Sequence, residues 1–421
     1  MNNMQKFKSI ITISAILLVC SLFAASIALA ATYWAAPQGS SSASCSDISG
    51  VSDPGRYGSF ARAVACATAS GDVVMAKPGT YTSSVAIKNP SSGITIRGSD
   101  SNPANWPVLK PTTAIDGTWR SVDFTISRSN ITFQYLRWDK SNAPLVGAEC
   151  VSAGSGPVVT NVTVKDAECL GPQVGNGSPG GFRIGTGSSN WTFQRVKISR
   201  WHGSSDGPGS HCFYWGGGPG LIENVECTDV NGYGVQFYNS GKATVSNVIL
   251  RYNKFHNFNL RGPIYIQSNS TGIQIYVNVF YNYNTGSRAI RLRGLNTKVW
   301  NNTIYNAAGG QGILIECSSG CEVKNNIIYA PGGTAISGSD GTTISNNVTN
   351  DPLFVDVAKL NFRLKAQSQA IDKGATISMV TKDMDDVSRP QAGAYDIGAY
   401  EYVVVTTTPP VSPDGLEATI K

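Results

Sequence analysis

Tyrosine, arginine and amide side chains recur along this chain between paired apolar residues. The pairs are Phe182 and Ile184, Phe213 and Trp215, Val235 and Phe237, Ile264 and Ile266, Ile290 and Leu292, and Ile313 and Ile315. If each pair faces inward on a strand, the residues between and after must face out. One outward column then reads Arg183, Tyr214, Gln236, Tyr265, Arg291 and Leu314, and the next reads Gly185, Gly216, Tyr238, Gln267, Arg293 and Glu316. With adjacent strands about 4.8 Å apart, Tyr238, Tyr265, Gln267, Arg291 and Arg293 are expected to form one patch. Tyrosine rings pack on pyranose faces and a guanidinium grips a carboxylate with two parallel hydrogen bonds, so this set suits a sugar-acid polymer. Arg183, Tyr214, Gln236, Tyr238 and Gln267 are its candidate binding positions. An ordinary solvated sheet face, where Tyr and Arg pack across strands for stability, is the plainer alternative.

Two polar segments enter the same strands. W-H-G-S-S-D-G-P-G-S-H, Trp201 to His211, brings Asp206 and His211 toward Tyr214, and K-F-H-N-F-N-L-R brings Lys254, His256 and Arg261 toward Tyr265. Long Gly-rich loops on a rigid scaffold are where function concentrates.

What positions these residues is a repeat. The pattern apolar-x-Asn-x-x-apolar surrounds Asn161, Asn224, Asn247, Asn301, Asn325 and Asn346, with Tyr135, Arg195 and Val277 in the same slot elsewhere. Nine positions with a mean spacing of about 26 residues, built of short alternating strands, call for a solenoid of parallel strands rather than the longer blades of a propeller. Asn tolerates the left-handed backbone of a sharp bend, and stacked amides can bond to one another, so the nine positions are expected to stack on one edge. The 45 glycines and 14% charged residues among 421 likewise disfavour helix. A helix-like run from Phe60 to Ala67 is expected to plug the N-terminal end, and the segment ending in D-I-G-A-Y-E-Y, Asp396 to Tyr402, to form an irregular C-terminal cap. The fold class is therefore all-β, a single-stranded parallel β-helix with a helical N-terminal cap.

Residues 1–30 read as an export signal: Lys6 and Lys8, an apolar run, then Ala28-Leu29-Ala30. The β-helix domain spans 31–402, and 403–421 is a Thr/Pro-rich linker leading to the start of a fibronectin type III-like segment. No second stretch is apolar enough to span a membrane. Net charge is +6, and without clustered Lys and Arg it points away from nucleic acid. An even count of eight cysteines after the signal favours disulfides in an exported chain, and their order suggests the local pairs Cys45–Cys66, Cys150–Cys169, Cys212–Cys227 and Cys317–Cys321. Zinc is the alternative, although the C-x-x-C spacing of a closed site is missing.

The opening T-Y-W-A-A-P-Q-G-S, K-P-G-T-Y at Lys77 to Tyr81, the N-N-x-I coils and the D-I-G-A-Y-E-Y tail together resemble secreted bacterial right-handed parallel β-helix proteins of the pectin-lyase-like superfamily. The resemblance covers roughly residues 32 to 402. It implies a secreted, monomeric protein acting on an acidic polysaccharide along its first sheet. A lyase must neutralise the uronate carboxylate, remove the C5 proton and protonate the leaving oxygen. Arg291 or Arg293 could neutralise, and Tyr265, His211 or His256 could move protons. In the superfamily's alginate and dermatan lyases a lysine and an arginine on neighbouring coils do this work. Here I-Y-I-Q-S puts Gln267 at the lysine, while I-R-L-R-G keeps Arg293 at the arginine. Calcium is the usual helper of such lyases, and Asp206, Glu149 and Glu316 are the oxygen ligands on offer. Two other readings stand beside the lyase: a non-catalytic carbohydrate-binding or surface protein, and a glycoside hydrolase, which needs two carboxylates where only Glu316 is on the aligned face.

Overall fold

The computed structural model describes residues 30–82, 85–87, 93–110, 122–141, 149–153, 158–172, 180–202, 210–238 and 244–404. The expected export signal and the Thr/Pro-rich end lie outside them, apart from Ala30, Val403 and Val404. Ten short strands, from Val85–Ile87 to Ile336–Ser337, stack in parallel into one sheet, here the first sheet. Its register aligns Arg183 with Tyr214, then Gln236, Tyr265, Arg291 and Leu314, as alternation requires. The apolar partners of these residues are at most 2% exposed. Phe182, Phe193 and Phe213 meet with ring centroids 4.8 to 5.7 Å apart, so the core is continuous from coil to coil.

Apart from the small parallel pair Val245–Ser246 and Ser270–Thr271, the remaining parallel strands form a 19-stranded assembly that turns corners as it wraps the same core. At one corner Tyr135, Asp166, Arg195, Asn224, Tyr252, Val277, Asn301, Asn325 and Asn346 all take left-handed backbone, φ 48 to 58°. The flanking register makes them one column. Seven of the nine expected positions are here. Asn161 and Asn247 are not: they sit on the preceding corner with Asn130 and Asn190, also at positive φ, and Asp166 and Tyr252 take their places. These two corners lie five residues apart, with a third a further five residues on at Arg200, Asp229, Asn257 and Asn282, and Asn meets the backbone demand at each, so one motif matched more than one column.

The amide ladder also runs one residue past the expected column. Asn253, Asn278, Asn302 and Asn326 each donate a side-chain amide hydrogen bond to the side-chain oxygen of the next rung, ending at Asn347, at 2.9 to 3.0 Å. That same oxygen accepts the preceding residue's backbone N–H. Turn groups that would otherwise be buried without partners are thereby satisfied.

The short helix Phe60–Cys66, capped by the Ser59 hydroxyl, buries Phe60, Ala63, Val64 and Cys66 over the N-terminal end of the core. All four cysteine pairs form as expected. Cys150–Cys169 and Cys212–Cys227 join first-sheet strands to the strands behind them through the core. After residue 350 the chain leaves the stack. An antiparallel pair, Phe354–Asp356 with Asn361–Leu364, and the segment to Tyr402 pack a second apolar cluster against Tyr281 and Ile327. The Gly398 and Ala399 amides bond to Asn325 and Thr303, so this cap covers the flank of the coils.

Candidate functional site

Rigid parallel strands hold one cluster on the outer surface of the first sheet. Tyr265 sits mid-strand in Ile264–Ile266, Arg291 in Arg288–Leu292, and Arg293 and Glu316 just beyond two strand ends. Arg291 lies over the Tyr265 ring at 5.7 Å, a cation–π contact. The Arg293 Nη1 donates to the Tyr265 hydroxyl at 3.4 Å. Glu316 accepts two bonds from Arg291, at 2.7 and 3.0 Å, and lies 3.6 Å from Arg293. The Arg291 hydrogen bond holds the Glu316 carboxyl below its ordinary range against a partial burial that acts the other way. These three charged side chains are each about one-third exposed, accessible to a polymer lying on the sheet.

A second group adjoins it. Arg183 lies over the Tyr214 ring at 5.5 Å and 3.8 Å from Glu149. Tyr214 contacts Tyr238 edge-on, and burial raises the Tyr214 phenol above its usual range. Tyr233 links the two groups: its ring stacks on Tyr265 at 5.1 Å and meets His211 at 5.5 Å. Burial raises the Tyr233 phenol, with Arg261 and Arg291 pulling the other way, which places Arg261 within electrostatic reach of the cluster. Tyr233 and Arg288, whose charge also reaches Tyr233 and Glu316, escaped the sequence reading because they share the parity of inward residues. Alternation fails where a turn feeds the strand, and Tyr233 precedes its strand by two residues.

Other expected residues stand elsewhere. His211 is 1% exposed and its Nδ1 accepts the Tyr233 amide at 2.8 Å, so it braces the turn and lies beneath the surface that would meet substrate. His256 is not beside Tyr265. It belongs to the neighbouring sheet, between Thr228 and Glu226, with Tyr281 stacked 4.5 Å away. The strand Lys254–Phe258 turns a corner before the first sheet begins, so nearness in sequence does not put His256 on that face. Gln236 is 9% exposed between Tyr214 and Tyr265 in register, while Gln267 is half-buried beside them. Asp206 lies outside the described residues.

The described members of the expected donor set, Glu149 and Glu316, do not suit calcium. Among the described residues no group of three or more His, Cys, Asp or Glu could hold an ion. Glu316 is engaged by two arginines and Glu149 faces Arg183. Among the described residues no helix is long and apolar enough to cross a membrane.

Comparison with solved structures gives 18% identity and a TM-score of 0.57 to the crystal structure of pectate lyase Pel9A, over 88% of this chain and 96% of that one. A rhamnogalacturonan lyase scores 0.48 at 13% identity over 83% and 97% of the two chains. The Streptococcus pneumoniae surface protein and adhesin PfbA scores 0.42 at 14% identity over 66% and 74%. No curated protein sequence matches the chain. Residues 180–349 match the family described as right handed beta helix region, and these are the coils that carry the cluster. In architecture the chain is a right-handed parallel β-helix like that of the pectate lyases.

Proposed function

We propose that this chain binds an acidic, uronate-containing polysaccharide along its first sheet and cleaves it by β-elimination. The observation that carries the reading is the Tyr265 hydroxyl held by Arg293 with Arg291 over its ring, on a rigid exposed strand. A carboxylate gripped by these guanidinium groups would have its charge drained, which acidifies the C5 proton next to it. Tyr265, as phenolate, takes that proton and, as phenol, returns it to the leaving O4. The C4–O bond breaks as the C4=C5 double bond forms, and neither water nor an oxidant is consumed. Tyr214, Tyr233 and Tyr238 supply ring faces for neighbouring sugars, and Arg183 a further cation. Export of the protein, its action as a monomer and its preference for acidic polymers belong to the same proposal.

A carbohydrate-binding protein without turnover is the second reading, favoured by Gln267 standing where the resemblance expects a lysine. One experiment separates the two. Purified protein is incubated with pectate, alginate, dermatan and neutral glycans, with and without calcium, and followed for the ultraviolet absorbance of an unsaturated uronate. Absorbance on an acidic polymer supports elimination, and reducing ends without it would show hydrolysis. Retention without products would leave binding alone, and no retention of any acidic polymer would overturn the reading of this face.

A further inference from the structure

We infer that Glu316 is a built-in stand-in for the substrate carboxylate, occupying the Arg291 fork when the groove is empty and having to be displaced for a uronate to enter. The inference rests on the proposed reading of the first sheet and adds to it a residue that sets affinity and selectivity. Both Glu316 oxygens face Arg291 in the two-bond, fork-to-fork arrangement that a sugar carboxylate would adopt, and the same carboxylate reaches toward Arg293. One internal anion thus serves both guanidinium groups assigned to the substrate.

Two features keep it there. The Glu316 amide donates to the Leu292 carbonyl at 2.8 Å, fixing its backbone to the strand that bears Arg291. The next residue, Cys317, closes a disulfide with Cys321, so the chain turns away at once and the side chain has a fixed origin. Acid does not readily release it, because Arg291 holds the carboxyl below its ordinary range. Displacement must come from a competing anion. A neutral sugar has nothing to offer in exchange, so the pair stays closed to it. A single carboxylate in the right place recovers the two bonds that Glu316 gives up. A similar pair, Arg183 with Glu149 at 3.8 Å, is looser and lacks the two-bond geometry, so the argument applies to Glu316 alone.

The test is calorimetric binding of oligogalacturonate, oligomannuronate and a neutral cello-oligosaccharide to wild-type, Glu316→Gln and Glu316→Asp proteins over a series of salt concentrations. Circular dichroism verifies that each is folded. Glu316→Gln keeps the shape and removes the competing charge. Affinity for an acidic oligosaccharide should rise about threefold to fivefold, the worth of a partly exposed ion pair, with a steeper salt dependence and no change for the neutral sugar. Glu316→Asp withdraws the carboxylate by one methylene while keeping net charge. It should raise acidic affinity less, without steepening the salt dependence, and it tests the fork if the Gln variant fails to fold. Equal or weaker binding of acidic oligosaccharide by both variants, with clear binding by wild type, overturns the stand-in and leaves the groove intact. If no form of the protein binds an acidic oligosaccharide, the groove reading falls and takes this inference with it.

Discussion

Truncating Asn302 to Ala should remove about 3 to 4 kcal/mol of stability, far more than a surface Asn. Its carbonyl oxygen accepts the Asn278 backbone N–H and side-chain amide, both at 3.0 Å, and its own amide donates to Ile275 O and Asn326 Oδ1. Asn278 and Asn302 are fully buried, so water cannot replace the missing oxygen. One stranded N–H costs about 1 to 3 kcal/mol, and the other lost bonds about 1 kcal/mol each where no partner remains. Asn347 supplies an internal control. Its oxygen accepts the equivalent pair from Asn326, but at the last rung it is only half-buried, so water can step in and Asn347→Ala should cost about 1 kcal/mol. Urea unfolding followed by circular dichroism measures both variants. Because a repeat protein need not unfold in one step, hydrogen exchange at the Asn278 amide reads the local effect directly. Equal costs at Asn302 and Asn347, or an Asn278 amide as protected in Asn302→Ala as in wild type, would refute the ladder argument.

Arg291→Ala and Arg293→Ala should each weaken binding of an acidic oligosaccharide by about 1 to 2 kcal/mol, the charge-assisted bond less the Glu316 pairing it replaces. Arg363→Ala, on the flanking cap and paired with Asp385, should leave that affinity unchanged; equal losses at all three would mean diffuse attraction to a basic protein. Tyr265→Phe should preserve binding yet cut turnover at least about a hundredfold, and unchanged formation of unsaturated product would remove Tyr265 from the chemistry. The Glu226 carboxyl is lowered from 4.5 to about 2, first by its bond to His256 and then by Lys197. Its folded value lies below its unfolded one, so its contribution is complete above about pH 5 and is lost as pH falls toward 2. Glu226→Gln should therefore flatten part of the decline in Tm over that range, and an identical decline would exclude the group. Intact-mass measurement of the oxidised protein should find none of the eight cysteines free.

The solenoid, its first-sheet register and the cysteine pairs were legible because each rests on a repeating or local signal. Alternation of Ile264 with Ile266 and of Ile290 with Leu292 leaves Tyr265 and Arg291 no other face, and parallel stacking then makes them neighbours. What was not legible arises where the chain turns. His256 and Tyr265 are near in sequence, yet a corner separates them. Tyr233 and Arg288 break parity beside the strand start. Asn161 and Asn224 carry one motif on different corners because both corners impose the same backbone. The pairing of Glu316 with Arg291 follows from side-chain reach between coils, which a linear pattern does not encode.

The coils are reinforced by unlike means along their length. Cys45–Cys66 staples the N-terminal cap, Cys150–Cys169 and Cys212–Cys227 each brace one of the earlier coils across its own core, and the buried amides that link coil to coil begin at Asn253. The fourth bridge closes only the small loop between Cys317 and Cys321. Covalent bracing within coils thus lies toward one end and buried amide bonding between coils toward the other. A reductant should loosen the earlier coils while the later ones hold, and the cluster around Tyr265 and Arg291 lies just inside the part that holds. The working face would then outlast the redox conditions that fray its neighbour, and damage would advance from a defined end.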